Sequence, residues 1–165
     1  MDIIEKNLAA LRQHCPFAKI YPAIKACPAD ETVSKLLQLN NHFDLASIGE
    51  LDLIIRNGGD PSQMSYGNTI KKTKDIEYFY SKGCRLYVSD SEADVRNLAK
   101  YAPGSNVFFR VLIDSSTRTA EWPLSKKFGS DIEMAKELIL LSKELGLNPI
   151  GISFHVGSQQ NNPKT

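Results

Sequence analysis

Short β-rich runs alternating with amphipathic helical patterns constrain this chain most, because each run is followed by a segment long enough for a crossover. Strands are predicted at residues 19–26, 43–46, 64–67, 85–88, 107–113 and 149–156, each too short or too β-rich for a helix. The intervening helical patterns have legible ends. Ser47-Ile48-Gly49-Glu50 has the form of a capping box ahead of Leu51, Leu53, Ile54 and Ile55, and Asn57-Gly58-Gly59 supplies a left-handed stop. Ser130-Asp131-Ile132-Glu133 repeats the pattern ahead of Ala135, Leu138, Ile139, Leu141 and Leu145, with Gly146 as the stop. A further helix opens at or just before Asp30 and carries Val33, Leu36 and Leu37, and another runs over about 74–82 to Gly83.

This alternation implies βαβ crossovers and an α/β fold with a parallel sheet, either an open doubly wound sheet or a closed (β/α) barrel. No Gly-x-Gly-x-x-Gly follows the first run and no Gly-x-x-x-x-Gly-Lys-Ser/Thr occurs, which removes support from the two common nucleotide-binding forms of the open sheet. The barrel leads. A full barrel takes about 250 residues, so six strand–helix units in 165 residues predict an incomplete (β/α)8 TIM-type barrel, one partial barrel domain over residues 1–165.

Composition narrows the partners. A formal net charge of +1, with both signs interspersed, gives no field for nucleic acid or an anionic membrane. Small molecules and protein are the expected partners. Cys15, Cys27 and Cys84 are odd in number and lack metal-ligand spacing, which favours reduced thiols in a cytoplasmic protein and no metal site. The acidic, amphipathic start at Asp2-Ile3-Ile4-Glu5 is unlike a signal peptide, and no apolar run approaches a membrane span.

In a parallel barrel the active groups collect at the C-terminal ends of strands. Lys25, Asp44, Asn68, Asp90 and His155 with Gly157 and Ser158 fall at or near such ends, and alternation allows Arg110 to point inward. Each alone has a plainer reading, as surface lysine, turn former, cap or interior ion pair. Their coincidence on one rim carries the argument. A lysine buried beside other cationic groups loses its proton and can condense with an aldehyde. Lys25 is the candidate for that role, His155 for stacking on a flat ring, and Gly157 with Ser158 for receiving a phosphate. Pyridoxal 5'-phosphate has all three handles.

Five blocks in order carry a resemblance: Ala23-Ile24-Lys25-Ala26, Phe43-Asp44-Leu45-Ala46-Ser47-x-x-Glu50-Leu51, Tyr66-Gly67-Asn68-Thr69-Ile70-Lys71-Lys72, Trp122-Pro123-Leu124-Ser125-Lys126-Lys127-Phe128-Gly129 and Ser153-Phe154-His155-Val156-Gly157-Ser158-Gln159. They resemble the fold-type III pyridoxal-phosphate decarboxylases, in the bacterial ornithine/lysine form of the ornithine decarboxylase branch. The resemblance implies that Lys25 forms a Schiff base with the cofactor, that His155 stacks on its ring and that Ser158 contacts its phosphate. It implies that Asp44, Glu50 and Arg110 line the cofactor pocket, and that Lys127 pairs with a second subunit in a homodimer. The implied reaction removes the α-carboxylate of ornithine, or of lysine, to give putrescine or cadaverine in polyamine biosynthesis. Pro22 stands where the family usually has an aromatic residue, and Cys27 where it usually has Asn. The family's C-terminal β-domain and its glycine-rich phosphate loop have no counterpart in residues 1–165, so the chain alone is expected to be inactive. The alternative is a non-catalytic pyridoxal-phosphate binder or regulatory homologue.

Overall fold

A computed structural model describes residues 2–113, 120–122 and 127–162. The chain divides into two compact units, Met1–Gly67 with Tyr78–Leu86, and Asn68–Glu77 with Tyr87–Thr165. No helix among the described residues is long and apolar enough to cross a membrane.

The first unit begins with helix α1 (Asp2–His14), followed by a 3₁₀ turn at Ile24–Ala26, α2 (Asp30–Gln38), β1 (Phe43–Leu45), α3 (Ile48–Arg56), a second 3₁₀ turn at Pro61–Gln63 and β2 (Met64–Tyr66). Strands β1 and β2 pair in parallel, with Phe43 against Met64, Asp44 against Ser65 and Leu45 against Tyr66. Parallel pairing needs a crossover, and α3 supplies it. Alternation then sorts the side chains: Phe43, Leu45, Met64 and Tyr66 are buried in the core, while Asp44 and Ser65 share the opposite face. The Tyr66 ring stacks on Phe79, centroids 4.0 Å apart. Leu51 and Ile54 bring α3 onto this core, and Val33 and Leu36 bring α2. The two helices are also tied by Asn57, which donates to Asp30 Oδ1 at 2.6 Å and accepts from Ser34 Oγ at 2.9 Å.

The expected cap of α3 is present, with Ser47 Oγ accepting from the Glu50 amide at 3.3 Å. Its reciprocal half is displaced by one residue, because Glu50 Oε2 accepts from the Ala46 amide at 2.6 Å. The strand expected at 19–26 is absent. Only Ala23 forms a bridge, parallel to Asp44, before the chain bends into the Ile24–Ala26 turn. Ile24 drives this bend by burying its side chain to 2% exposure.

The second unit holds α5 (Glu92–Tyr101), β4 (Asn106–Arg110), β5 (Ala120–Trp122), α6 (Ile132–Glu144), β6 (Asn148–Ser153) and β7 (Ser158–Gln160), besides most of β3 (Leu86–Ser89). Helix α4 (Thr73–Lys82) is divided between the units and ends, as its glycine predicts, at Gly83 with φ +106°. Strands β3, β4 and β6 are hydrogen-bonded neighbours in that order, and β4 pairs with β6 in parallel with an irregularity after Val107. Val107 and Phe109 face a core shared with Val95 and Leu98 of α5 and Ala135 and Leu138 of α6. Strands β5 and β7 form a separate antiparallel pair.

Two expectations are corrected here, and one helix is present that the sequence does not announce. The cap of α6 is Asp131, whose carboxylate accepts from the Met134 amide at 2.8 Å, while Ser130 is buried in a bridge to Val111. Helix α5 carries only Val95 and Leu98 as large buried residues, too faint a stripe for its periodicity to announce it. Strands β4 and β6 end at Arg110 and Ser153, short of the expected 113 and 156.

Candidate active site

In the first unit the Asp44 amide donates to the Pro22 carbonyl at 3.1 Å, which brings the Ile24–Ala26 turn alongside β1. The turn closes through the Ala26 amide to Ala23 O at 3.2 Å and the Cys27 amide to Ile24 O at 3.0 Å. With Ile24 pointing into the core, Lys25 is turned outward and is exposed. This corrects the expectation of a buried lysine among cations. Its electrostatic neighbours are acidic instead: Lys25 acts on the Asp44 charge, on which Glu50 also acts with the opposite sign.

Asp44 is half-buried. Burial raises its proton affinity, opposed by the hydrogen bond from Ser65 and the positive charge of Lys25 and assisted by Glu50. Ser65 Oγ donates to Asp44 Oδ1 at 2.5 Å. Gly67 completes the cradle, since a Cβ there would coincide with the Asp44 carboxylate.

The second unit holds the other candidates. Arg110 ends β4, half-buried, with its guanidinium 5.3 Å from the centroid of Phe128. Burial lowers its proton affinity and the Asp90 charge opposes that shift. Lys127 is exposed, with Nζ 5.2 Å from the same ring. Residues 123–126 of its block lie outside the described residues. Asp90 Oδ2 accepts from the Gly129 amide at 2.8 Å, and Gly129 has φ +104° against the Val111–Leu112 backbone. Asn68 serves as a turn former: its Oδ1 accepts from the Ile70 amide at 3.3 Å and its carbonyl from Lys71 Nζ at 2.9 Å.

His155 is exposed, just beyond β6, and its Nδ1 accepts from the Gly157 amide at 2.8 Å. That bond places the neutral ring's proton on Nε2. It also occupies an amide that the sequence assigned to a phosphate. Ser158 does not sit in a loop but opens β7, paired with Trp122.

Three contributors went unassigned in the sequence. Ser65 is invisible without the β1–β2 register. Lys71 Nζ pairs with Asp94 Oδ2 at 2.7 Å and donates to Val88 O at 2.6 Å, while Ser89 Oγ donates to Asp94 at 2.7 Å. Phe128 provides the ring beneath Arg110 and Lys127. No group of His, Cys, Asp and Glu among the described residues could hold a metal ion.

A family model described as pyridoxal-dependent decarboxylase, pyridoxal binding domain, matches residues 1–165. The lysine/ornithine decarboxylase of Selenomonas ruminantium is 35% identical over 159 residues, 96% of this chain and 40% of that protein. Antizyme inhibitor 2 of Xenopus laevis is 31% identical over 157 residues, 95% of this chain and 34% of that protein. Among solved structures, lysine/ornithine decarboxylase from Vibrio vulnificus complexed with putrescine matches with a TM-score of 0.87 at 30% identity, covering 99% of this chain and 42% of that one. The fold is accordingly the α/β fold of an incomplete (β/α)8 barrel, and the chain spans 40% of the length of the Selenomonas relative.

Proposed function

This chain belongs to the pyridoxal-dependent decarboxylases, as their pyridoxal binding domain, and on that premise we propose that it holds pyridoxal 5'-phosphate for decarboxylation of ornithine or lysine. The observation that carries the reading is Lys25. Its primary amine is exposed on a turn anchored by buried Ile24, beside the Asp44 carboxylate. An accessible amine fits an aldehyde-bearing cofactor, and a fixed negative charge beside it suits a nitrogen that must carry a proton.

The roles follow residue by residue from the family positions. Lys25 holds the cofactor covalently, Asp44 sets the charge beside that amine, and Glu50 fixes the β1–α3 loop through the Ala46 amide. Arg110 contributes a half-buried positive charge over the Phe128 ring, which the Asp90 charge favours. His155 offers a ring face with its tautomer set by Gly157, and Gly157 and Ser158 are the phosphate candidates. For that role the Gly157 amide must exchange the imidazole for the phosphate. Lys127 is the candidate for pairing with a second subunit in a homodimer. The cofactor, when bound, supplies the electron sink that accepts the charge left by departing carbon dioxide. The protein's part is to orient the amino acid and keep these charges in place.

The finer reading is ornithine to putrescine, or lysine to cadaverine, in cytoplasmic polyamine biosynthesis. The named specificity of the Selenomonas relative supports both substrates. Because the chain spans 40% of that relative's length, we propose that these 165 residues alone release no carbon dioxide. The test is carbon dioxide release from carboxyl-labelled ornithine and lysine by the polypeptide encoded by the whole reading frame that contains this chain. Release from either supports the proposal; cofactor binding without release from any diamino acid overturns it. That second outcome would favour a non-catalytic homologue, a reading supported by the 31% identity to an antizyme inhibitor.

A further inference from the structure

Asp44 and Ser65 are register partners in the parallel β1–β2 pair, so their side chains leave the same face of the sheet. The serine is buried to 3% exposure, and its hydroxyl donates to Asp44 Oδ1. The carboxylate lies where a side chain at position 67 would otherwise be, and the Gly67 amide is itself bound to Leu45 O at 2.9 Å. Backbone hydrogen bonds therefore fix both sides of the cradle, and the Ser65 hydroxyl fixes the direction of the carboxylate within it. A small apolar residue at position 65 would fill the same space without a donor.

We propose that Ser65 is a positioning residue, whose hydroxyl holds the Asp44 carboxylate ionised and aimed within its cradle beside the Lys25 turn. The link to cofactor chemistry rests on the reading of Lys25 given above. The chemistry of the pair itself does not. A carboxylate only accepts hydrogen bonds, so a hydroxyl that must donate to it favours the charged form over the neutral one. The charged groups acting on Asp44 are Lys25 from the turn, which favours ionisation, and Glu50 from α3, which opposes it. Ser65 joins Lys25 on the favourable side and offsets the penalty of burial.

The test is the carbon-13 titration of the Asp44 carboxyl in the unliganded chain, assigned by its loss in Asp44→Asn. Ser65→Ala should raise the midpoint by about one pH unit, the size of a charge-assisted hydrogen bond lost from a partly buried group. Ser65→Thr, which keeps the hydroxyl, should restore the native midpoint. Where the alanine variant does not fold, Ser65→Cys, a weaker donor of similar size, should give a smaller rise in the same direction. An unchanged midpoint in Ser65→Ala, or in Ser65→Cys where that variant is used, overturns the inference, as does a Ser65→Thr midpoint matching that of Ser65→Ala. This readout needs no cofactor. Failure of Lys25 to take up pyridoxal phosphate would count against the proposed function and leave the Ser65 assignment standing.

Discussion

Lys71 and Asp94 form an ion pair at 2.7 Å in which the lysine side chain is wholly sealed from solvent. The same ammonium donates to the carbonyls of Asn68 and Val88, so it ties the loop after residue 67 to the end of β3 and the first turn of α5. Burial lowers the proton affinity of Lys71 and raises that of Asp94, and the mutual attraction opposes both shifts. Lys71→Met leaves the carboxylate buried without its cation and should destabilise the chain by about 3–5 kcal/mol. Lys71→Met combined with Asp94→Leu should recover a large part of that loss, because no charge is then stranded. Urea unfolding of both variants checks the pair of outcomes.

Cys84 gives a pH dependence of defined sign. Burial pushes its thiol up to about 11, and its Sγ donates to Met64 O at 3.3 Å. The folded state thus keeps a proton that the unfolded state releases near pH 9. Stability from this group is fully present below that pH and is lost as pH rises toward 11, by about 2–3 kcal/mol. Unfolding free energy measured from pH 8 to 11 should fall more steeply in the native chain than in Cys84→Ala. Alkylation at neutral pH should label exposed Cys27 and spare Cys84 until the chain unfolds.

Gly129→Ala should destabilise the second unit by at least about 1 kcal/mol. The backbone there has φ +104°, and a Cβ would stand 3.0 Å from the Val111 carbonyl carbon and 3.1 Å from the Leu112 amide. Neither neighbour is a flexible side-chain end. Thermal unfolding measures the cost, and Asp90→Asn, which weakens the acceptor of the Gly129 amide, should produce a smaller loss.

How far the fold could be read depended on how local its causes are. The Ser47 cap and the Gly83 stop act within a few residues, and both appear where the sequence put them. The run at 19–26 misled because Ile20, Tyr21 and Ile24 have β-forming side chains, yet Ile24 is claimed by the core, which bends the backbone after one bridge. Helix α5 is illegible for the opposite reason, since two large apolar residues and an acidic first turn look like a loop. Among the candidate site residues, Lys25, Asp44 and Arg110 are legible as chemical types near strand ends. The exposure of Lys25 is not, because it follows from the burial of its neighbour. The Ser65–Asp44 contact joins residues 21 positions apart and exists only once β1 and β2 are in register.

The central claim is that the Lys25 amine is the covalent anchor for pyridoxal phosphate. Borohydride reduction of the chain mixed with the cofactor, followed by peptide mass mapping, tests it directly. The account predicts one dominant pyridoxyl modification, on the peptide containing Lys25, and its loss in Lys25→Ala. Equal labelling of Lys25→Ala, or a dominant adduct on another lysine such as Lys127, would contradict it.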